Sequence, residues 1–263
     1  MRSTSMTLML TAALALSAGS HAAYAADNDD HHRRLAATPF VFIGSAEECG
    51  VEGSHIVTSA WLGGMGLPDN GGANTTADHA TNANKRDPHR GLLLSKNGPT
   101  ADCSSAGARI RGFRESTLTE LGFDYRNGTH CGAGAPRFNI TSTLGFTYFA
   151  GCLHGTKTPA PQDPLEWTRV RFTTTAQIFP ADPLAPPFVF GPGGTQVRSL
   201  SILYDEGTDT ATDEDPRGVG LSVLDNIDVN GELIRSGTGI EDGAQGRGTG
   251  HDDRGDDDDE EDD

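Results

Sequence analysis

The sequence is poor in positive charge. Twenty Lys and Arg stand against 37 Asp and Glu, a formal net charge of −17. A nucleic-acid-binding domain needs a positive surface to displace counterions from phosphates, so this balance argues against nucleic acid as a partner. The same charge disfavours anionic membranes. Long apolar runs are also missing. The longest, Leu8 to Ala18, has 11 residues, and a helical span needs roughly 20. No stretch shows long helical periodicity and no internal repeat occurs. Catalytic signatures are absent as well. There are nine histidines, but no H-E-x-x-H spacing, no G-x-S-x-G elbow and no phosphate loop. The acidic C-terminal run lacks the EF-hand calcium spacing.

What is present begins with MRSTSMTLMLTAALALSAGSHAAYA, residues 1–25. One arginine, a short apolar run and the small-x-small triplet Ala23-Tyr24-Ala25 read as a secretory signal peptide. A secreted protein, extracellular or periplasmic, is the expectation. In an oxidising compartment the four cysteines should pair into two disulfides. Three connectivities are possible. Cys131 and Cys152 flank a hairpin pattern, which leaves Cys49 for Cys103. The rival is a zinc site built from His130, Cys131, Cys152 and His154, and export chemistry favours the disulfide.

Without the leader the charge is 19 − 37 = −18. Glu241 to Asp263 carries 12 acids and two arginines, net −10, leaving −8 for residues 26–240. The polar arm 26–37 and the Gly-rich, then acidic tail 236–263 have too little apolar surface to offset ordering entropy, so both are expected to be disordered. Between them lies one domain, 38–235.

That domain is rich in Gly, Pro, Thr, Asn and Asp, with short β-like runs between turn signals. Expected strands include 40–43, 55–61, 91–94, 108–113, 120–126, 137–141, 146–151, 167–178, 188–190, 196–205 and 219–230. Leu121, Phe123 and Tyr125 alternate with Asp124 and Arg126. Phe138 and Ile140 alternate with Arg137, Asn139 and Thr141. Val170 and Phe172 alternate with Trp167, Arg169 and Arg171. One buried and one solvated face marks antiparallel sheets. The expected fold is all-β, an antiparallel β-sandwich (jelly roll) with long loops at 63–87 and 207–217.

The segment GVGLSVLDNIDVNG, Gly218 to Gly231, poses a problem. Val219, Leu221, Val223, Ile227 and Val229 share one phase, and Asp225 is in it. A buried carboxylate must be hydrogen-bonded, paired or metal-bound. It can accept N–H groups from a crossing loop, pair with Arg109 or Arg111, or bind calcium with oxygens from Asp69, Asn70, Asp78, Asp205 or Glu206. Alternatively, a bulge turns it outward.

The stretch Leu224–Val229, with Val197–Asp209 before it, resembles the closing strands of secreted bacterial jelly-roll domains of the galactose-binding-like type, which include many carbohydrate-binding modules. The resemblance covers the last 40 residues of the domain. It implies a jelly roll and a structural calcium near the chain ends, with Asp225 at the position of the acidic ligand. The candidate metal set is Asp225, Asp205 and Asp69.

The outward residues Arg126, Arg137, Asn139, Trp167, Arg169 and Arg171 would form a basic patch if their strands were neighbours. Guanidinium forks suit carboxylate or sulfate, and indole suits a sugar ring. The alternative is an ordinary solvated face. Asp205-Glu206 is a poor catalytic pair, because consecutive strand residues point to opposite faces, and it and the loop cluster Asp213-Glu214-Asp215 are read as solvated or cation-attracting acids. The leading expectation is therefore a non-enzymatic binding or adhesion module for a polysaccharide or cell-surface glycan. A polysaccharide lyase or hydrolase on the same scaffold, and a calcium-gathering matrix or envelope protein, are the alternatives.

Overall fold

In a computed structural model of the chain, the structure describes residues 34–67, 89–213 and 215–234. The expected leader, most of the arm, the tail from 236 and Asp69, Asn70 and Asp78 lie outside the described residues. No helix among the described residues is long and apolar enough to cross a membrane.

Among the described residues, fourteen strands form two antiparallel sheets. The first contains β1 (Ala36–Ile43), β4 (Ser104–Arg111), β12 (Gln196–Tyr204), β7 (Arg137–Ser142), β8 (Thr147–Gly151) and β11 (Phe179–Pro180) in that order, with β5 (Ser116–Thr117) beside β12. The second contains β2 (Val57–Gly63), β3 (Arg90–Lys96), β13 (Leu221–Val229), β6 (Leu121–Arg126), β10 (Trp167–Phe172) and β9 (Thr156–Pro159), with β14 (Glu232–Leu233) beside β13. The chain passes back and forth between the sheets, and the result is the expected jelly-roll-like sandwich. Strand β1 begins inside the expected arm. Leu35 and Ala37 are buried, so apolar burial extends the domain to an earlier start than residue 38.

Period-two alternation places the apolar set between the sheets. Phe123 on β6, Phe172 on β10 and Phe138 on β7 meet with ring centroids 5.7–6.1 Å apart, tying the second sheet to the first. Each such side chain contributes about 1.5–3 kcal/mol by leaving water. Two expected strands are revised. The run 167–178 leaves the ladder after Phe172, where Ala176 N–H donates to Thr173 O and closes a turn. The run 188–190 lies outside the ladders, and Phe188 packs on Tyr148 and Phe190 instead. Both expected disulfides form, Cys49–Cys103 and Cys131–Cys152. The second overturns the zinc reading, since both thiols are consumed and His154 packs on Phe179.

Candidate functional site

The segment 218–231 is resolved by a bulge. The β13–β6 register shifts between Asp225 and Asp228, and Asn226 takes a left-handed φ of 45°. Asparagine tolerates that region better than most side chains. Leu224, Ile227 and Val229 therefore face the main core, whereas Val223 joins a second cluster with Leu67, Ala160 and Trp167. Asp225 points to the outer side of the second sheet. It is still only 5% exposed, because the segment carrying Met65 and Leu67 covers that side together with Trp167.

Asp225 is held by backbone donors. Leu67 N–H donates to Oδ2 at 2.8 Å and Asn226 N–H donates to Oδ1 at 2.7 Å. This is the crossing-loop reading. The arginine alternative fails, because Arg109 and Arg111 lie on β4 in the other sheet. Burial, with a smaller push from Asp124, raises the Asp225 carboxyl from 3.8 to about 8 despite those two hydrogen bonds. Asp124, its register partner on β6, is also buried. It receives Arg169 Nε at 3.1 Å and Nη2 at 3.3 Å, Arg171 Nη1 at 3.4 Å and Asn226 Nδ2 at 2.9 Å. Arg171 reaches Asp124 by lying over Gly122, where an added Cβ would stand 2.5 Å from its Cδ. Arg171 also approaches Asp228 at 3.8 Å, whose carboxyl burial raises. Arg169 and Arg171 are thus committed to buried acids.

The outer face of the first sheet is different. Cross-strand register aligns Thr38, Arg109, Ser201, Asn139, Phe149 and Phe179 across six strands. At strand spacings of about 4.8 Å this row is roughly 24 Å long. The neighbouring row contains Phe40, Gly107, Leu203 and Arg137. The Phe40 ring reaches over Gly107, where a Cβ would meet it at 2.6 Å. Arg109 stacks over Phe40 and Arg137 over Phe149, each 5.1 Å from the ring centroid. Arg109 is exposed and Asn139, Ser201, Phe40 and Phe149 are half-buried, so the row reaches solvent. Arg137 is clamped by Asp205, with Nη2 donating to Oδ2 at 2.6 Å.

A third cluster sits where β12 leads into the 207–217 loop. His130, fully buried, places Nε2 2.6 Å from Glu206 Oε2 and Nδ1 3.4 Å from Asp215 Oδ2. The hydroxyl of Tyr204 and Asp215 Oδ1 are buried there without hydrogen-bond partners among the described residues, and burial beside these acids pushes the Tyr204 phenol up. Lys96, also buried, donates from Nζ to the carbonyls of Thr100, Asp102 and Asp205 at 3.0, 2.6 and 2.9 Å. Burial lowers its pKa, opposed by Asp102, Asp205 and Asp209. These groups fasten the acidic loop to the sandwich.

The expected basic patch is therefore divided. Arg126, Trp167, Arg169 and Arg171 belong to the second sheet, Arg137 and Asn139 to the first. Trp167 is fully buried in the second cluster and offers no face to a sugar. The expected metal set is divided likewise. Asp225 is on the second sheet and Asp205 follows β12 of the first, bound to Arg137. No group of three or more metal-ligating side chains occurs among the described residues. Sequence reasoning missed Phe40, Phe149, Arg109 as a face residue, and the His130 cluster. The alternation of Tyr148 and Ala150 with Phe149 was the available signal for one of them. A shallow groove of about 400 Å³ lies between the β7–β8 turn and the 186–196 segment. No carboxylate, histidine or lysine lines it. Comparison with known proteins gives no match to any family model, curated protein or solved structure.

Proposed function

We propose that this protein is an exported, non-enzymatic glycan-binding module that takes an acidic polysaccharide across the outer face of the first sheet. One observation carries the reading: the solvent-reaching row Thr38–Arg109–Ser201–Asn139–Phe149–Phe179, flanked by two arginine–phenylalanine stacks. Arginine supplies forked donors for carboxylate or sulfate. Serine, threonine and asparagine supply hydroxyl partners, and phenylalanine supplies apolar rings that suit a sugar face. A flat strip of about 24 Å suits an extended chain better than a compact small molecule. Two disulfides support an oxidising compartment. The buried acids Asp124 and Asp225 do not favour an enzyme, since neither reaches solvent in an open cleft.

The test is affinity electrophoresis through gels containing polygalacturonate or a sulfated glucan, with a neutral glucan as control. Retardation by the acidic polymers is expected for the natural chain, and Arg109→Ala and Phe149→Ala should each weaken it about tenfold. No retardation in any acidic gel, or retardation unchanged in both variants, would discard the reading.

A further inference from the structure

The end of the first sheet that carries β1 and the exit of the chain meet at one place. Leu35 N–H donates to Glu232 Oε1 at 3.3 Å, and Ile234 N–H donates to Ile227 O at 2.7 Å. The chain beyond residue 234 therefore leaves from beside the start of β1. Ala36 pairs with Arg111, and Thr38 with Arg109. Arg198 lies on β12 three residues before Ser201, the partner of Arg109, and so at the same end of the sheet as Arg111. Arg34 immediately precedes Leu35. All four arginines are exposed. Among the described residues, no carboxylate stands within ion-pair distance of any of them. On a strongly acidic protein this is an uncompensated basic surface.

The sequence beyond 234 has the complementary charge. Residues 241–263 carry 12 acids and two arginines, net −10. Glu241 and Asp242 come seven and eight residues after Ile234, and the main acidic run starts at Asp252. A glycine-rich connection of 17 residues has an r.m.s. reach of roughly 20–25 Å. The surface from β1 to β12 spans two strand spacings, about 10 Å. Tethering makes the encounter intramolecular, at an effective concentration in the millimolar range.

We infer that the acidic segment 241–263 docks in cis on the cluster Arg34, Arg109, Arg111 and Arg198, and competes there with acidic polysaccharide. The competition rests on the proposed glycan reading; the docking does not. Arg109 belongs to both surfaces, so an occupied tail removes one end of the glycan row. The contact is electrostatic and solvent-facing, and salt weakens it.

The experiment compares the natural full chain with a full chain carrying Asp256→Asn, Asp257→Asn, Asp258→Asn, Asp259→Asn, Glu260→Gln, Glu261→Gln, Asp262→Asn and Asp263→Asn together. Arginine reactivity toward phenylglyoxal is followed residue by residue by peptide mass spectrometry. At low salt, Arg109, Arg111 and Arg198 should react about threefold faster in the neutralised chain, whereas the exposed Arg217 should not change. About 0.5 M NaCl should erase the difference by raising the natural chain to the faster rate. Equal low-salt rates at the three arginines in the two chains would overturn the docking. Both chains are then run in the polygalacturonate gel. Stronger retardation of the neutralised chain supports competition, and equal retardation overturns it. Retardation of neither chain discards the glycan reading and the competition with it, while the labelling result still decides the docking.

Discussion

The outer faces of the two sheets are built from similar parts and end in opposite states. Each has a glycine floor under a large side chain, Gly107 under Phe40 in the first sheet and Gly122 under Arg171 in the second. Each carries arginines at outward positions. In the second sheet the Met65–Leu67 segment and Trp167 cover the face, acids are trapped beneath it, and Arg169 and Arg171 are spent on compensating them. In the first sheet Arg109 is exposed and rests on the Phe40 ring, while Arg137 lies over Phe149 and is held by Asp205. An outward position is thus not the same as an exposed one. What lies on top of the sheet decides whether a charged face holds the fold together or is left free to meet a ligand.

This contrast can be broken most forcefully at the cover. Trp167→Ala should cost about 3–5 kcal/mol in urea unfolding, as expected for a buried indole, and should open the face over Asp225. A cost under 1 kcal/mol would mean that Trp167 covers nothing. Asn226→Val should cost about 2–4 kcal/mol. It puts a β-branched residue at φ 45° and removes the donors to Asp124 and Gln162. Asn226→Gly keeps the backbone region and should recover roughly half of that loss.

A pH titration probes the trapped acid directly. Burial raises the Asp225 carboxyl from 3.8 to about 8, so the folded chain holds that proton more tightly than the unfolded chain does. Its contribution to stability is complete below the unfolded value and is lost as the pH climbs through about 8. Asp225→Asn should flatten that decline, leaving the variant on the order of 2–4 kcal/mol less pH-sensitive between about pH 4 and pH 8. Parallel stability–pH curves for the two chains would contradict this. At the small end, Arg109→Ala on the open face should change stability by less than about 0.5 kcal/mol while weakening polysaccharide retardation. A large loss of stability would show that this arginine, too, is part of the scaffold.

The sequence showed the faces of individual strands well and their grouping poorly. The alternation in Leu121–Arg126, Arg137–Thr141 and Trp167–Phe172 assigns inward and outward residues as the structure has them. Period-two patterning carries no record of which sheet a strand joins, because that depends on pairing between residues far apart in sequence. Arg126 and Arg137, 11 residues apart, therefore look like neighbours and belong to different sheets. The bulge was equally concealed. Residues 219, 221, 223, 225, 227 and 229 keep one parity in sequence, but the extra residue at Asp225-Asn226 reverses which face that parity occupies. Only the asparagine hinted at it. The disulfides were legible because export chemistry and hairpin spacing agreed. The cover over the second sheet was not, since Met65 and Leu67 lie in a segment with too few apolar residues to look like a packing element.

The hydrogen bond from Leu35 to Glu232 places the point where the sandwich begins within reach of the point where it finishes. The fold is therefore a closed circuit in space. A short linker from Ile234 to Arg34 could make it one in covalent terms, with new ends opened at the exposed Leu144 turn between β7 and β8. The order in which the ribosome delivers the strands is then separable from the architecture they build, and the whole body can be spliced into a surface loop of another protein with both junctions side by side.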